Sequence, residues 1–219
     1  MTTSAAAPGL NVSAVRKVQV GCGPTALLDG WCNTDLRPFP GLDLAMDATK
    51  PWPFHGLTHV FAEHFIEHLA IDQAIDFLVA AGTALAPGGR MRLSTPNVEW
   101  VVATQYALQR DGTEEERLDG VLSLNRAFHG WGHQFLWSQA MLALVLDAVG
   151  FEELEAFAYG ESNDPEFRGI ERHGNVDEYD GHLSIVIVEA VRGSRPIVPD
   201  ARLTAWVEHQ LLRHVRSGH

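Results

Sequence analysis

Residues 15–24 read VRKVQVGCGP, a β-branched run that ends in two glycines and a proline. Such a run suits a buried strand feeding a tight turn, because glycine adopts the turn's backbone without a Cβ to intrude. With Thr25 and Ala26 the turn satisfies a loose GxGxxA pattern, in which missing side chains let backbone N–H groups approach a ligand. A dinucleotide-binding loop would open a full helix and be followed by a ribose-binding acid about 20 residues on. Here Asp35 comes only 14 residues after Gly21, and Leu27-Leu28-Asp29-Gly30-Trp31 leaves room for about one turn. A pyrophosphate would have no helix N-terminus to sit on. That disfavours a nicotinamide oxidoreductase and suits a ligand that carries a ribose without a diphosphate.

Outward from this turn, short strand candidates lie at 32–36, 42–46, 58–62 and 90–94, each closed by polar residues or proline. Ile71, Ile75, Leu78, Ala81 and Leu85 recur at helical spacing until Pro87-Gly88-Gly89 stops them. From Asn97 to about Phe128 the chain reads as helical: Asn97 can cap a first turn, and Thr113 with Glu116 makes a capping-box pattern. Ser138 caps a further helix whose Leu142, Val145, Leu146 and Val149 share a face, with Gly150 at its C-terminal position. Strand candidates at 151–159 and 183–191 finish the series. The polar segment between them, 160–181, is too long for a simple connector. Leu203, Val207, Gln210, Leu211 and His214 mark an amphipathic C-terminal helix that either packs on the domain or joins a homodimer.

Strands alternating with helices predict an α/β domain over 15–193 with a mostly parallel sheet, whose ligands bind beyond the carboxyl ends of the strands. Residues 1–14 are expected to be a flexible tail, 97–137 a helical insertion beside the substrate pocket, and 194–219 an extension. The formal charge of −12 disfavours nucleic acid and acidic membranes as partners. Cys22 and Cys32 are too few for a disulfide framework, and no apolar run approaches a membrane span. The first residues lack the basic start and apolar core of a secretory signal, so a cytoplasmic location is the default expectation.

The stretch AEHFIEHL at 62–69 contains HxxEH, in which two histidines four apart on a helix could share Zn²⁺ while Glu67 activates water. His129 and His133 form a second such pair. Against a zinc hydrolase, His64 follows directly on a buried strand, so 64–68 should straddle a strand-to-helix turn rather than one helix.

VGCGP, GWCNTDL, MDATKPWPF, AEHFIEHL, LAPGGRMRLSTPN and AVGF stand together in an order that resembles the class I S-adenosylmethionine-dependent methyltransferases, in particular the small type 11-like group. The resemblance covers roughly 17–191. It implies a Rossmann-like seven-stranded sheet of order 3-2-1-4-5-7-6 with strand 7 antiparallel, and S-adenosyl-L-methionine as cofactor. By it, Gly21, Cys22 and Gly23 would pass under the cofactor's amino-acid part. Asp35 with Leu36 would hold the ribose, and Asp47 with Ala48 the adenine. Ala62, Glu63 and His64 would end strand 4 at the reactive methyl. The acceptor would be a small molecule with an O, N or C nucleophile, and no metal is implied. One departure is Leu57-Thr58 where relatives often carry Phe-Asp.

A base is needed only if the nucleophile must lose a proton, and histidine suits that near neutral pH. His129 and His133, just before the Ser138 helix, are the preferred candidates, followed by His64; Trp131 and Trp137 are candidate acceptor walls. Histidines in an aromatic loop also serve as packed scaffold, and such tryptophans as core. A chain that binds the cofactor without catalysis is a further alternative.

Overall fold

The computed structural model describes residues 5–6, 9–174 and 176–216. Seven strands form its main sheet: β1 (Lys17–Val20), β2 (Cys32–Asp35), β3 (Leu44–Ala45), β4 (Leu57–Glu63), β5 (Leu85–Pro96), β6 (Glu152–Ala156) and β7 (Ile185–Val191). Their order is 3-2-1-4-5-7-6, and β7 runs antiparallel to both neighbours while β1 to β5 are parallel. This is the order the family resemblance implied. Ala5–Ala6 add a short antiparallel strand on β3, and Val12–Ala14 form a 3-10 turn, so the expected tail is structured at those points. Residues 1–4 and 7–8 lie outside the described residues.

The two faces of the sheet carry different chemistry because alternate residues point to opposite sides. One cross-strand row is Val18, Val60, Met91 and Ala190, and another is Val20, Ala62, Leu93 and Val188. Both rows pack under the helices α1 (Ile71–Ala84) and α4 (Gln139–Val149) in the main core. The row between them is Gln19, Phe61, Arg92 and Glu189, three polar residues in four. That row needs a cover able to satisfy charge.

A helix would ordinarily supply this cover in the crossover from β1 to β2, but residues 21–31 form none. Side chains of the strands replace the helix's internal bonds. Asn33 Nδ2 donates to the Leu28 and Trp31 carbonyls while its Oδ1 accepts from Leu28 N, and Gln19 Nε2 donates to Ala26 O. The segment 160–181 then packs across the face. Phe167 and Ile170 join Leu28, Trp31 and Phe61 in a second apolar cluster. Arg92, wholly buried, reaches Glu171 and Glu189 at 2.6 Å each. The long loop is thus a structural cover of one sheet face.

The capping signals operate as expected: Asn97 accepts from Glu99 N at the start of α2 (Val98–Val102), Thr113 and Glu116 complete their box before α3 (Glu114–His129), and Ser138 accepts from Met141 N. Gly150 ends α4 at φ 113°, open to glycine alone at small cost. Several strand boundaries differ from expectation, two of them with consequences for the sheet. The expected strand at 183–191 begins at Ile185, because His182–Leu183 instead pair with Glu178–Tyr179 in a small ribbon. β5 extends to Pro96, where its end pairs with Ile185 of β7. The C-terminal helix begins as α5 (Ala201–Val207) and turns Leu203 and Val207 into the main core. No described helix is long and apolar enough to cross a membrane.

Candidate active site

Strand order reverses between β1 and β4, the point where an open parallel sheet leaves a crevice beyond its carboxyl ends. Val20 pairs with Ala62, so Gly21-Cys22-Gly23 and Glu63-His64 leave the sheet side by side. Both glycines have left-handed backbone, φ 65° and 58°. A Cβ on Gly21 would collide with the Phe65 ring, whereas one on Gly23 would meet nothing within 4 Å. Gly21 is therefore constrained by packing, and Gly23 borders open space. Gly23 N donates to Asp35 Oδ2 at 3.1 Å, and Arg37 N to Asp35 Oδ1, which fixes the carboxylate beside the turn. Leu36, 65% exposed, stands next to it as an unburied apolar surface.

At the end of β3, Asp47 Oδ1 accepts from the N–H and hydroxyl of Thr49, and Ala48 O accepts from the Trp52 indole N–H. Asp47 thus braces its own turn with one oxygen; the other accepts no hydrogen bond among the described residues. Cys22 and Cys32 are buried and free. Burial pushes each thiol up to about 12, aided by Asp35 at Cys22 and by Asp43 at Cys32.

Glu63 was expected at the end of strand 4 beside the cofactor, and it stands at the end of β4 with its carboxylate turned to the protein's own backbone. Its buried carboxylate accepts the backbone N–H groups of Arg172 and His173 at 2.9–3.0 Å and pairs with His173 Nδ1 at 3.3 Å. It anchors the 160–181 segment. His64, at φ 47°, is one of the few non-glycine residues in the left-handed region. Its Nδ1 lies 3.0 Å from Glu67 Oε1, and Glu67, with no exposed surface, also accepts from the Thr95 hydroxyl at 3.0 Å. The His64 ring sits 4.8 Å from that of His173. Residues 66–68 form a separate 3-10 turn and α1 starts only at Ile71, so His64 and His68 never share a helical face and the HxxEH metal geometry is absent.

The helical insertion separates the two preferred histidines. His129 is exposed at the end of α3. His133 is partly buried, with Nδ1 2.8 Å from Ala127 O and its ring 5.1 Å from His68. Trp131, 73% exposed, and His133 line a cleft of about 200 Å³ with Pro96, Trp100, Arg126 and Leu136. Trp137 is corrected from acceptor wall to core: it is wholly buried against Phe135, where no acceptor can touch it. Thr95 was not singled out as a site residue, and Glu67 entered only as the water-activating glutamate of HxxEH. The EHL letters contained Glu67, but only its burial reveals that it orients His64.

The strand order with its antiparallel β7 is the one that the resemblance to class I methyltransferases implied. No family model and no curated protein matches the chain. Similar solved structures include a SAM-dependent methyltransferase from Archaeoglobus fulgidus, at 13% identity and TM-score 0.49 over 82% of this chain and 87% of that one. Human N-acetylserotonin methyltransferase in complex with SAM matches at 14% identity and TM-score 0.46, over 81% of this chain and 47% of that one. The S-adenosylmethionine-dependent methyltransferase SibL matches at 17% and 0.42, over 68% of this chain and 35% of that one. The chain thus spans half or less of some of these longer proteins. At such scores the likeness carries no argument, and the fold assignment rests on the strand order itself.

Proposed function

We propose that the chain is an S-adenosylmethionine-dependent methyltransferase acting on a small molecule. The observation that carries this reading is the meeting, at the reversal of strand order, of a glycine turn with open space at Gly23, a fixed Asp35 carboxylate and a histidine backed by a buried glutamate. These residues fit the cofactor. Gly23 offers backbone that a ligand can approach, Asp35 a two-oxygen acceptor for ribose hydroxyls, Leu36 an apolar surface and Asp47 a remaining carboxylate oxygen for the adenine amine. When bound, the cofactor supplies an activated methyl group on a sulfonium.

The protein's own part is positioning and proton handling. A carboxylate only accepts, so the His64–Glu67 contact places the proton on Nδ1 and leaves the Nε2 lone pair available. When the acceptor nucleophile must lose a proton, His64 Nε2 would take it. Glu67 fixes the ring and stabilises the resulting imidazolium. The apolar cleft beside Trp131 suits an acceptor with an apolar body. A buried glutamate that orients the His64 imidazole favours an enzyme over a passive holder of the cofactor.

Calorimetry with S-adenosylhomocysteine tests the cofactor part: binding by the wild type and its loss in Asp35→Ala are expected. Absence of binding by the folded wild type would sink the proposal. Transfer of labelled methyl into a metabolite pool tests catalysis and separates it from binding alone.

A further inference from the structure

Glu67, His68 and His133 converge where the end of β4 meets the helical insertion, and one ligand atom from each lies within 4.8 Å of the others. Two of the three side chains, Glu67 and His133, are already oriented by hydrogen bonds. Glu67 is held by His64 and Thr95, which use two of the roughly four lone-pair positions of a carboxylate. His133 bonds Ala127 O through Nδ1, a contact that requires the proton there and leaves Nε2 as a donor of electrons. This is the arrangement by which metal-binding histidines are fixed from behind. The backbone around the cluster is clamped as well: Gln134 N and Phe135 N both donate to Glu67 O, and Gln134 Nε2 donates to His68 O at 2.7 Å.

We propose that Glu67, His68 and His133 form a divalent transition-metal site, with Zn²⁺ the ion best suited to two imidazoles, one carboxylate and an open fourth position. Tetrahedral bonds of about 2.0–2.1 Å need donors about 3.3 Å apart. Metal binding therefore requires the imidazoles to rotate toward Glu67, His133 about its Nδ1 contact. The sequence suggested HxxEH ligands and then, by resemblance, no metal; the cluster differs from both, replacing His64 by His133 from the insertion. A bound ion would tie the insertion to the end of β4 and stand in the wall of the Trp131 cleft, which His133 also lines. The inference does not rest on the methyltransferase reading, because metal binding and S-adenosylhomocysteine binding are measured separately.

The test is titration of the chelator-stripped full chain with Co²⁺, followed by displacement with Zn²⁺. One equivalent is expected to bind with the visible absorption of a four-coordinate cobalt site. His68→Ala and His133→Ala should each weaken binding at least about tenfold. His209→Ala, which alters an exposed histidine far along the C-terminal helix, should stay within a few-fold of wild type. Circular dichroism and S-adenosylhomocysteine binding report whether each variant is folded, and the two partly buried histidines are used because Glu67→Gln disturbs a fully buried group. Failure of the wild type to bind either ion stoichiometrically would overturn the site. So would a His64→Ala loss equal to that of His68→Ala with His133→Ala unaffected, which would restore the HxxEH set.

Discussion

His64 Nδ1 and Glu67 Oε1 are 3.0 Å apart, partners in one hydrogen bond rather than a ligand and a general base arrayed around a common ion. The contact depends on His64 leaving β4 with left-handed backbone, which turns its ring back over the 66–68 turn. Two of the HxxEH letters therefore work together in a way that neither metal chemistry nor helix periodicity would indicate.

Replacing His64 by alanine should lower methyl transfer by about 10²–10⁴-fold, the usual size of a general-base contribution. Affinity for S-adenosylhomocysteine should stay within a few-fold. His129→Ala, at an exposed helix end, should leave transfer near wild type. Labelled-methyl incorporation and calorimetry, run on the same preparations, check both; a larger loss in His129→Ala would reverse the assignment.

The two glycines of the turn should fail differently. Ala at either position occupies left-handed backbone at a cost of about 1–2 kcal/mol. Gly21→Ala also drives a methyl into Phe65, so its thermal midpoint should fall further. Gly23→Ala points into open space and should fold, yet lose cofactor affinity. Thermal melts paired with S-adenosylhomocysteine titration distinguish the two.

Arg92→Met should destabilise the domain by about 3–5 kcal/mol, since it strands Glu171 and Glu189 without their buried cation. Urea unfolding measures it. Phe167→Ala, in the same cover, should cost about 3–5 kcal/mol through the cavity it leaves.

Acid should loosen the 160–181 segment through Asp164. Burial pushes this carboxyl up, but the Glu166 N–H, His59 and Arg90 outweigh it and hold the group below the usual carboxylate range. A group with a depressed folded pKa contributes stability above its unfolded pKa of about 3.9 and loses it as pH falls through the lower folded value. Asp164→Asn should flatten that part of the acid limb in a stability-against-pH series.

Neither thiol should react with a disulfide reagent at pH 7–8 in the native state, because Cys22 and Cys32 are buried and pushed up to about 12. Both should react on unfolding. Rapid native labelling would show that the Gly21–Gly23 turn opens readily.

The strand order and the capping residues were legible because β-branched runs, glycine turns and N-cap side chains act locally. The 160–181 segment was not. Phe167 and Ile170 gain meaning only against Phe61 and Trp31, more than a hundred residues away, and nothing near them in the chain announces a partner. A hint lay in the strands: Gln19, Arg92 and Glu189 alternate with apolar residues, which reports a face covered by something other than an apolar helix. The anchoring role of Glu63 was hidden for a related reason. A carboxylate at a strand end suits a ligand or a loop equally, and only the Arg172 and His173 amides decide between them. Trp137 and Trp131 differ by six positions and by nearly their whole exposure, a distinction that composition cannot draw.

The Glu63 anchor also links two events that a separate lid would keep apart. Local opening of a segment has its own free energy when its contacts are its own. Here the carboxylate that accepts from the amides at the edge of the cover belongs to the residue immediately before His64, so detaching the cover at that edge also releases the backbone that aims the imidazole. Hydrogen exchange at Arg172 and His173 should consequently follow that of His64, with all three amides exchanging as one unit.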